Sequence, residues 1–441
     1  MLVPVFLQVV GCLAPELKED WQAVARARSG ERPAPASTRR AERQTSTETD
    51  DPELHRKLAD DPTLYLVLSA AERRNPDLAA ALERWVGFLE KVPQRLAPPY
   101  PTLRLGYSSM FRMNTVELMQ DVPFPSKLLA EGRAALAEAR ATGAEFEERR
   151  NLLRQQVTAA YASLYLARRE LELLDANLEI LNRFVRIAQT RYEAGTVTQS
   201  DVLRAELERS TIRAERAVLS REVETAASAL NVLLDRPPET PIGPLAPLAL
   251  PQPGAQTGEL YDRALQYRPE LEAASQRVAS ADSMLARARE EWIPDLTVGG
   301  AYVRDLGMDE NEVEVTAGIT LPLWWGSIRA KSREAEAESR RASAELKAAR
   351  NRVLDEVKST SARLAAAAER FTILAEEAVP RAEQNLGVAE AAYTASKLGF
   401  LELLDSQRML LLKQLERERA LVEHATSQAE LEKAIGEAPK P

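Results

Sequence analysis

Residues 191–207 read RYEAGTVTQSDVLRAEL, and residues 392–408 read AYTASKLGFLELLDSQR. Moved along by 201 positions, the first stretch lays Tyr192 on Tyr393, Asp201 on Glu402, Val202 on Leu403 and Leu203 on Leu404. The same displacement later sets Leu230 on Leu431, Leu234 on Ile435 and Pro238 on Pro439. Each stretch is a tight reversal between two long helical patterns. An internal repeat settles architecture before any single motif does. The 441 residues therefore read as two copies of one unit, not as several unrelated domains.

Upstream of the first reversal, Val157, Tyr161, Leu164, Leu171, Leu174, Leu178, Leu181 and Val185 recur by threes, fours and sevens. That period predicts a helix over about 126–193, packed along a seam. At 1.5 Å per residue it is about 100 Å long. A second helix follows over about 199–234. Ahead of them, LRLGYSSM and TVELMQDV alternate apolar with polar residues and predict a hairpin over about 102–123. A helical stretch from Leu64 is split at Asn75-Pro76 and stopped by Pro98, Pro99 and Pro101.

The second half repeats this order, with Arg268-Pro269-Glu270-Leu271 answering Asn75-Pro76-Asp77-Leu78. Its hairpin, over about 295–323, puts Leu296, Val298, Tyr302, Val313, Val315, Ile319 and Leu321 on one face. Thr297, Gly299, Glu312, Glu314, Thr316 and Thr320 fall on the other. One long helix over about 327–394 and a last one over about 400–435 complete the copy. The repeats thus span 63–234 and 255–436, joined by a Pro-rich linker at 235–254. A polar segment with little periodicity, 13–62, precedes them, and a tail, 437–441, follows.

Low aromatic content and long stretches rich in Ala, Leu, Glu and Arg match extended packed helices. A net charge of -9 and the lack of a basic, aromatic-studded stripe speak against nucleic acid. His55, His424 and the single Cys12 leave too few ligands for a structural zinc site, and the two histidines receive no role. No nucleophile–base set or phosphate-cradling loop points to an enzyme, and no cofactor is implied. No run of about 18 apolar residues offers a membrane-spanning helix, so a membrane crossing would have to use strands closed into a barrel. The chain supplies four strands, too few for an open barrel, since membrane barrels need about eight or more. Three copies would supply twelve.

The order of elements, both reversals and the hairpin exits Val122-Pro123-Phe124-Pro125 and Leu321-Pro322-Leu323-Trp324 resemble the TolC-like outer-membrane efflux proteins, from about Leu64 to Ile435. The first hairpin, MFRMNTVELMQDVPFP, looks most like the heavy-metal branch. The resemblance implies a mainly α fold with a β-barrel: a homotrimer whose twelve-strand outer-membrane barrel continues into a long α-helical periplasmic tunnel. It implies an outer-membrane lipid environment, a periplasmic adaptor protein and an inner-membrane efflux pump as partners. The function implied is a passive conduit exporting metal cations or drugs. The competing class, a soluble periplasmic coiled-coil scaffold or adaptor, explains the helices but not two alternating hairpins with apolar faces.

The resemblance also assigns sites. Glu402 and Asp405, one turn apart on one helix face, match the acidic ring at the narrow periplasmic mouth. The plainer reading is a solvated helix start, where the dipole favours acids. Asp201 matches a residue that holds the mouth closed, yet Thr198-Gln199-Ser200-Asp201 is also a capping box. The arginine that usually partners it is replaced by Leu398, so a lock must use Lys397, Tyr393 or another group. Tyr192 and Tyr393 are either gate or seam aromatics. Gly195 supplies a turn conformation. Ala194, Gly195, Thr196, Ser396, Lys397, Leu398 and Gly399 are expected to be exposed tips for adaptor contact. Trp324 and Trp325 suit an aromatic belt.

Residues 1–12, MLVPVFLQVVGC, form a signal or lipobox segment that resembles a bacterial lipoprotein lipobox, with Cys12 as the lipidated residue. No Lys or Arg precedes the apolar run, so an ordinary apolar start is the alternative. Under the lipobox reading Leu13 permits sorting to the outer membrane of a Gram-negative cell.

Overall fold

The computed structural model describes residues 3–29, 58, 62–110, 113–250, 257–305, 308 and 310–436. The elements are α1 (Val3–Ser29), α2 (Leu64–Arg74), α3 (Pro76–Leu89), α4 (Lys91–Leu96), β1 (Thr102–Ser108), β2 (Met113–Val122), α5 (Pro125–Glu193) and α6 (Gln199–Leu233). Then come α7 (Thr257–Tyr267), α8 (Pro269–Arg289), β3 (Asp295–Asp305), β4 (Glu310–Thr320), α9 (Trp325–Ile373), a π turn (Leu374–Ala378), α10 (Val379–Thr394) and α11 (Phe400–Ile435). The chain divides into two compact units: residues 1–38, 79–148 and 269–352, and residues 39–78, 149–268 and 353–441. Among the described residues no helix is long and apolar enough to cross a membrane.

The first unit holds all four strands in one antiparallel sheet of order β1-β2-β3-β4. Its register sorts the side chains. Leu105, Val116, Tyr302 and Val313 stand in one cross-strand row, and Leu103, Leu118, Gly300 and Val315 in another of the same face. Arg104, Glu117, Ala301 and Glu314 make a row of the opposite, polar face. The two hairpins are joined at their bases by Lys127, whose buried ammonium donates to Ile293 O (2.7 Å) and Asp295 Oδ1 (2.8 Å). Asp295 Oδ1 also accepts from Phe124 N–H (3.0 Å), which pins the end of β2 to the start of β3. Below the sheet, Trp85 stacks on Phe146 at 5.9 Å. A Cβ at Gly143 would meet Trp85 Cε2 at 2.7 Å, so only glycine admits that ring.

Two expectations need correction. The segment 13–62 is not without regular structure where it is described: α1 continues to Ser29. Leu17, Trp21 and Val24 recur by four and three, Val24 is buried, and Asp20 accepts from Arg140 (3.1 Å) while Arg28 pairs with Glu83 (2.8 Å). Polar composition concealed a narrow docking stripe. Residues 30–57 and 59–61, the end of the linker at 251–254 and the tail 437–441 lie outside the described residues.

The helix expected over 327–394 is interrupted by the π turn, where Val379 N–H donates to Leu374 O. Pro380 is the cause: it has no N–H, and its ring clashes with the carbonyl four residues back in a regular helix. The 49, 5 and 16 residues of the three segments make this rod one residue longer than the 69 of α5. The buried faces record where the extra residue went. Before and into the turn, Val353, Val357, Ala367 and Leu374 are buried 200 positions after buried Leu153, Val157, Ala167 and Leu174. After it, Ala382, Leu386 and Ala389 are buried 201 positions after buried Leu181, Val185 and Ala188.

The second unit is built on that seam, formed by α5, α6, α10 and α11. Tyr161 is fully buried, its hydroxyl within 3.0 Å of Pro62 O and 2.9 Å of Ala246 O. Arg168 donates to Ile242 O (2.8 Å) and to Gly243 O, so the proline-rich connection is fastened along α5. Asn75 divides α2 from α3 as expected, its Oδ1 accepting from Leu78 N–H at 3.1 Å.

Candidate functional site: the paired helix reversals

Both reversals lie in the second unit, and they close identically. At the end of α5, Gly195 N–H donates to Tyr192 O and Thr196 N–H to Arg191 O, both at 2.9 Å. At the end of α10, Ser396 N–H donates to Tyr393 O (3.0 Å) and Lys397 N–H to Ala392 O (2.9 Å). This pair of bonds satisfies the last helix carbonyls and demands a left-handed residue. Gly195 has φ 71° and Ser396 φ 58°. Glycine adopts that conformation freely, whereas serine holds it under strain.

Each following helix opens on an acid. Asp201 Oδ2 accepts from Thr198 N–H (3.1 Å) and from Thr198 Oγ–H (3.0 Å), the contacts of a cap. Glu402 occupies the matching position and folds back over Gly399, the residue before α11. Glu402 and Asp405 are both exposed, one turn apart. Asp405 Oδ1 lies 3.7 Å from Arg408 Nη1. Arg408 also grips Glu208 of α6, a buried carboxylate, through Nε (2.8 Å) and Nη2. That hydrogen bond raises the Arg408 pKa above its ordinary value, against the opposing effect of desolvation.

The two tyrosines are not equivalent. Tyr192 is exposed, while Tyr393 is buried and packs on Phe400 with ring centres 5.7 Å apart. Burial raises the Tyr393 phenol pKa, and the neighbouring Arg191 lowers it. Arg191 is the residue that sequence reasoning passed over. Its Nη1 donates to Tyr393 O and its Nη2 to Thr394 O, both at 2.9 Å. Its guanidinium carbon sits 4.4 Å from the centre of the Tyr393 ring. The overlooked signal was a basic residue in the last turn of α5, where carbonyls point outward.

Of the expected tips, Ala194, Gly195, Thr196, Ser396, Lys397 and Gly399 are exposed. Leu398 departs from that expectation: it is half-buried and packs against the apolar cluster that holds Leu403 and Phe400. It sits just before the cap of α11 and Leu403 four residues into the helix, the positions of a hydrophobic staple. Trp324 and Trp325 are exposed, and Trp325 meets Trp292 edge-on at 6.0 Å. Cys12 lies within α1. His424 is buried in α11, and His55 lies outside the described residues. Among the described residues no group of His, Cys, Asp and Glu is placed to hold a metal ion.

The sequence signature described as "Outer membrane efflux protein" matches residues 67–235 and 260–437, which together take in both repeats. The cobalt-zinc-cadmium resistance protein CzcC of Cupriavidus metallidurans is 24% identical over 367 residues, 81% of this chain and 86% of that one. The outer membrane efflux protein BepC of Brucella suis is 26% identical over 223 residues, 48% of this chain and 47% of its own length. The outer membrane protein VceC of Vibrio cholerae shares the fold, with a TM-score of 0.72 at 22% identity, covering 85% of this chain and 96% of that one. With its duplicated hairpins, rods and reversals accounted for by one signature over most of its length, the chain belongs to the outer membrane efflux protein family.

Proposed function

We propose that the protein is the outer-membrane channel of a tripartite efflux system. In this reading three copies close one twelve-strand barrel and extend a helical tunnel into the periplasm. A periplasmic adaptor and an inner-membrane pump deliver the cargo. The observation that carries the reading is the apolar face of the sheet. Leu105, Val313 and Val315 are 74%, 75% and 83% exposed, and Leu103, Val116, Leu118, Tyr302 and Ile319 join them on that face. Burying a Leu or Val side chain is worth about 1.5–3 kcal/mol, so a face of this size calls for lipid. Within the chain the sheet ends at β1 on one side and β4 on the other. Neighbouring copies would pair those edges.

Metal cations are the first cargo to test, because one relative, matched over 86% of its length, is a cobalt-zinc-cadmium resistance protein. Glu402 and Asp405 would gather around the three-fold axis as an acidic constriction favouring cations. Tyr192, Asp201 and Tyr393 would surround it. Ala194, Gly195, Thr196, Ser396, Lys397 and Gly399 would face the adaptor, and Cys12 would carry lipid.

The test is a pair of substitutions on one strand. Val315→Arg, at the middle of β4 on the apolar face, should cost roughly 2–4 kcal/mol per copy and abolish the trimer in mild detergent. Thr316→Arg, its neighbour on the polar face, should leave the trimer intact. A wild-type chain that stays monomeric without detergent, or equal tolerance of both arginines, would remove the barrel from the proposal.

A further inference from the structure

Pro101 and Pro294 lead into the two hairpins 193 positions apart, and Pro123 and Pro322 lead out of them 199 apart. By these displacements β1 is the counterpart of β3, and β4 the counterpart of β2. Within the chain β2 pairs with β3, from Met113 opposite Asp305 down to Val122 opposite Leu296. Carried over to the counterparts, that register sets β4 beside β1 of a second copy. Leu321 then falls opposite Leu103, Ile319 opposite Leu105, and Thr316 opposite Ser108. The faces agree: Leu105 and Ile319 both stand on the apolar side of the sheet. A slip of one residue would bring Ile319 opposite Arg104, on the polar side.

The two seams differ at their base. Inside the chain Lys127 crosses to Ile293 O and Asp295 Oδ1, and Phe124 N–H donates to Asp295 Oδ1, so contact continues past the last strand pair. At the free edges the counterparts of Lys127, Ile293 and Asp295 are Gly326, Tyr100 and Thr102. No ammonium is available there to cross. The same register instead brings Trp324 level with Tyr100, three residues below the pair of Leu321 and Leu103. Both rings are bare in the single chain, Trp324 at 82% and Tyr100 at 94% exposed, whereas Trp325 already meets Trp292.

We propose that a second copy of this chain docks its β1 on β4 in the register copied from the internal seam, and that Trp324 against the partner's Tyr100 replaces the Lys127 bridge. The inference rests on the channel reading above and adds the residues that meet. Ladder hydrogen bonds between two sheet edges hold in any register. The apolar rows select the face, and the aromatic pair at the base selects the row. Trp and Tyr are also the side chains that dominate interface energies.

The experiment uses the full chain, oxidised in membranes and run on non-reducing gels. One variant carries Ser108→Cys with Thr316→Cys, a second Leu105→Cys with Ile319→Cys, one pair on each face. Controls shifted by two residues carry Ser108→Cys with Gly318→Cys, and Leu105→Cys with Ala317→Cys. β2 and β3 separate β1 from β4 within one chain, so any such disulfide joins two copies. The single-cysteine variants account for Cys12. Opposed positions lie about 4.5–5.5 Å apart and shifted ones about 7–8 Å, so at least one matched pair should give covalent dimers and trimers and the shifted pairs few. Trp324→Ala and Tyr100→Ala, singly and together, are then compared for the temperature at which the trimer dissociates. Each should lower it, and the double variant should fall no further than the worse single one. This second measurement also serves if a cysteine variant fails to fold. A trimer that cross-links only in the shifted pairs, or in which the two alanines add, would overturn the copied register while leaving the channel standing. A chain that is monomeric in mild detergent would remove the channel reading, and the register with it.

Discussion

The left-handed residue at each reversal gives a sharp test of the local physics. Gly195 and Ser396 occupy the same left-handed position in matching turns, at φ 71° and 58°. A side chain in that conformation costs about 1–2 kcal/mol. Replacing glycine by alanine where the backbone fits would otherwise return roughly 0.4–1 kcal/mol through the unfolded chain. At Gly195 a new Cβ would meet nothing within 4 Å, so no clash enters and the cost is conformational alone. Gly195→Ala should therefore weaken its reversal by about 1 kcal/mol, and Ser396→Gly should strengthen its own by a similar or smaller amount. Hydrogen exchange followed by mass spectrometry reads this locally, because the amides of Gly195, Thr196, Ser396 and Lys397 all donate within the closures. Faster exchange over 190–197 in Gly195→Ala, and slower exchange over 391–398 in Ser396→Gly, are the expected results. Equal exchange in wild type and Gly195→Ala, or faster exchange in Ser396→Gly, would refute the claim that backbone strain governs these turns.

Replacing Glu402 and Asp405 together by Ala should lower cation selectivity in bilayer recordings and weaken block by divalent cations from the periplasmic side; unchanged selectivity would return both residues to an ordinary helix start. Asp201→Ala should instead cost about 0.5–2 kcal/mol of stability per copy as a lost cap, seen as a lower unfolding temperature, with little effect on selectivity. His424 is buried, and burial depresses its pKa below the usual imidazole range. Its contribution to stability is thus complete above the unfolded-state pKa of about 6.5 and is lost as pH falls below it. Unfolding temperature should therefore drop between pH 7 and 5, and His424→Gln should flatten that slope.

The fold was legible in the sequence wherever one period ran unopposed. The seam of α5, the alternating strands and the repeated reversals all carry patterns set by their own backbone geometry. Two features escaped because composition or length hid them. The stripe of Leu17, Trp21 and Val24 is thin and sits among charges, and Pro380 lies in a pattern that continues on both sides of it. At the site, Gly195 and the Asp201 cap were readable because local rules determine them. Arg191 was not, since its partners are main-chain oxygens 202 and 203 residues away, and carbonyls carry no sequence label. Leu398 was misjudged for a related reason: its place in a loop suggested exposure, while its relation to Leu403 asked for burial.

The π turn has a meaning for the history of the molecule. One residue added to a rigid rod turns everything beyond it by about 100°, and here would carry Ala382, Leu386, Ala389 and Tyr393 off the shared seam. Confined to Leu374–Ala378, the addition leaves the packed faces on either side where the first copy has them. The two halves of a duplicated gene can then change length independently, one codon at a time, while still fitting the same partner helices. A proline fixed beside the bulge makes the change hard to reverse, since deleting the extra codon would return that ring to a regular helix that rejects it.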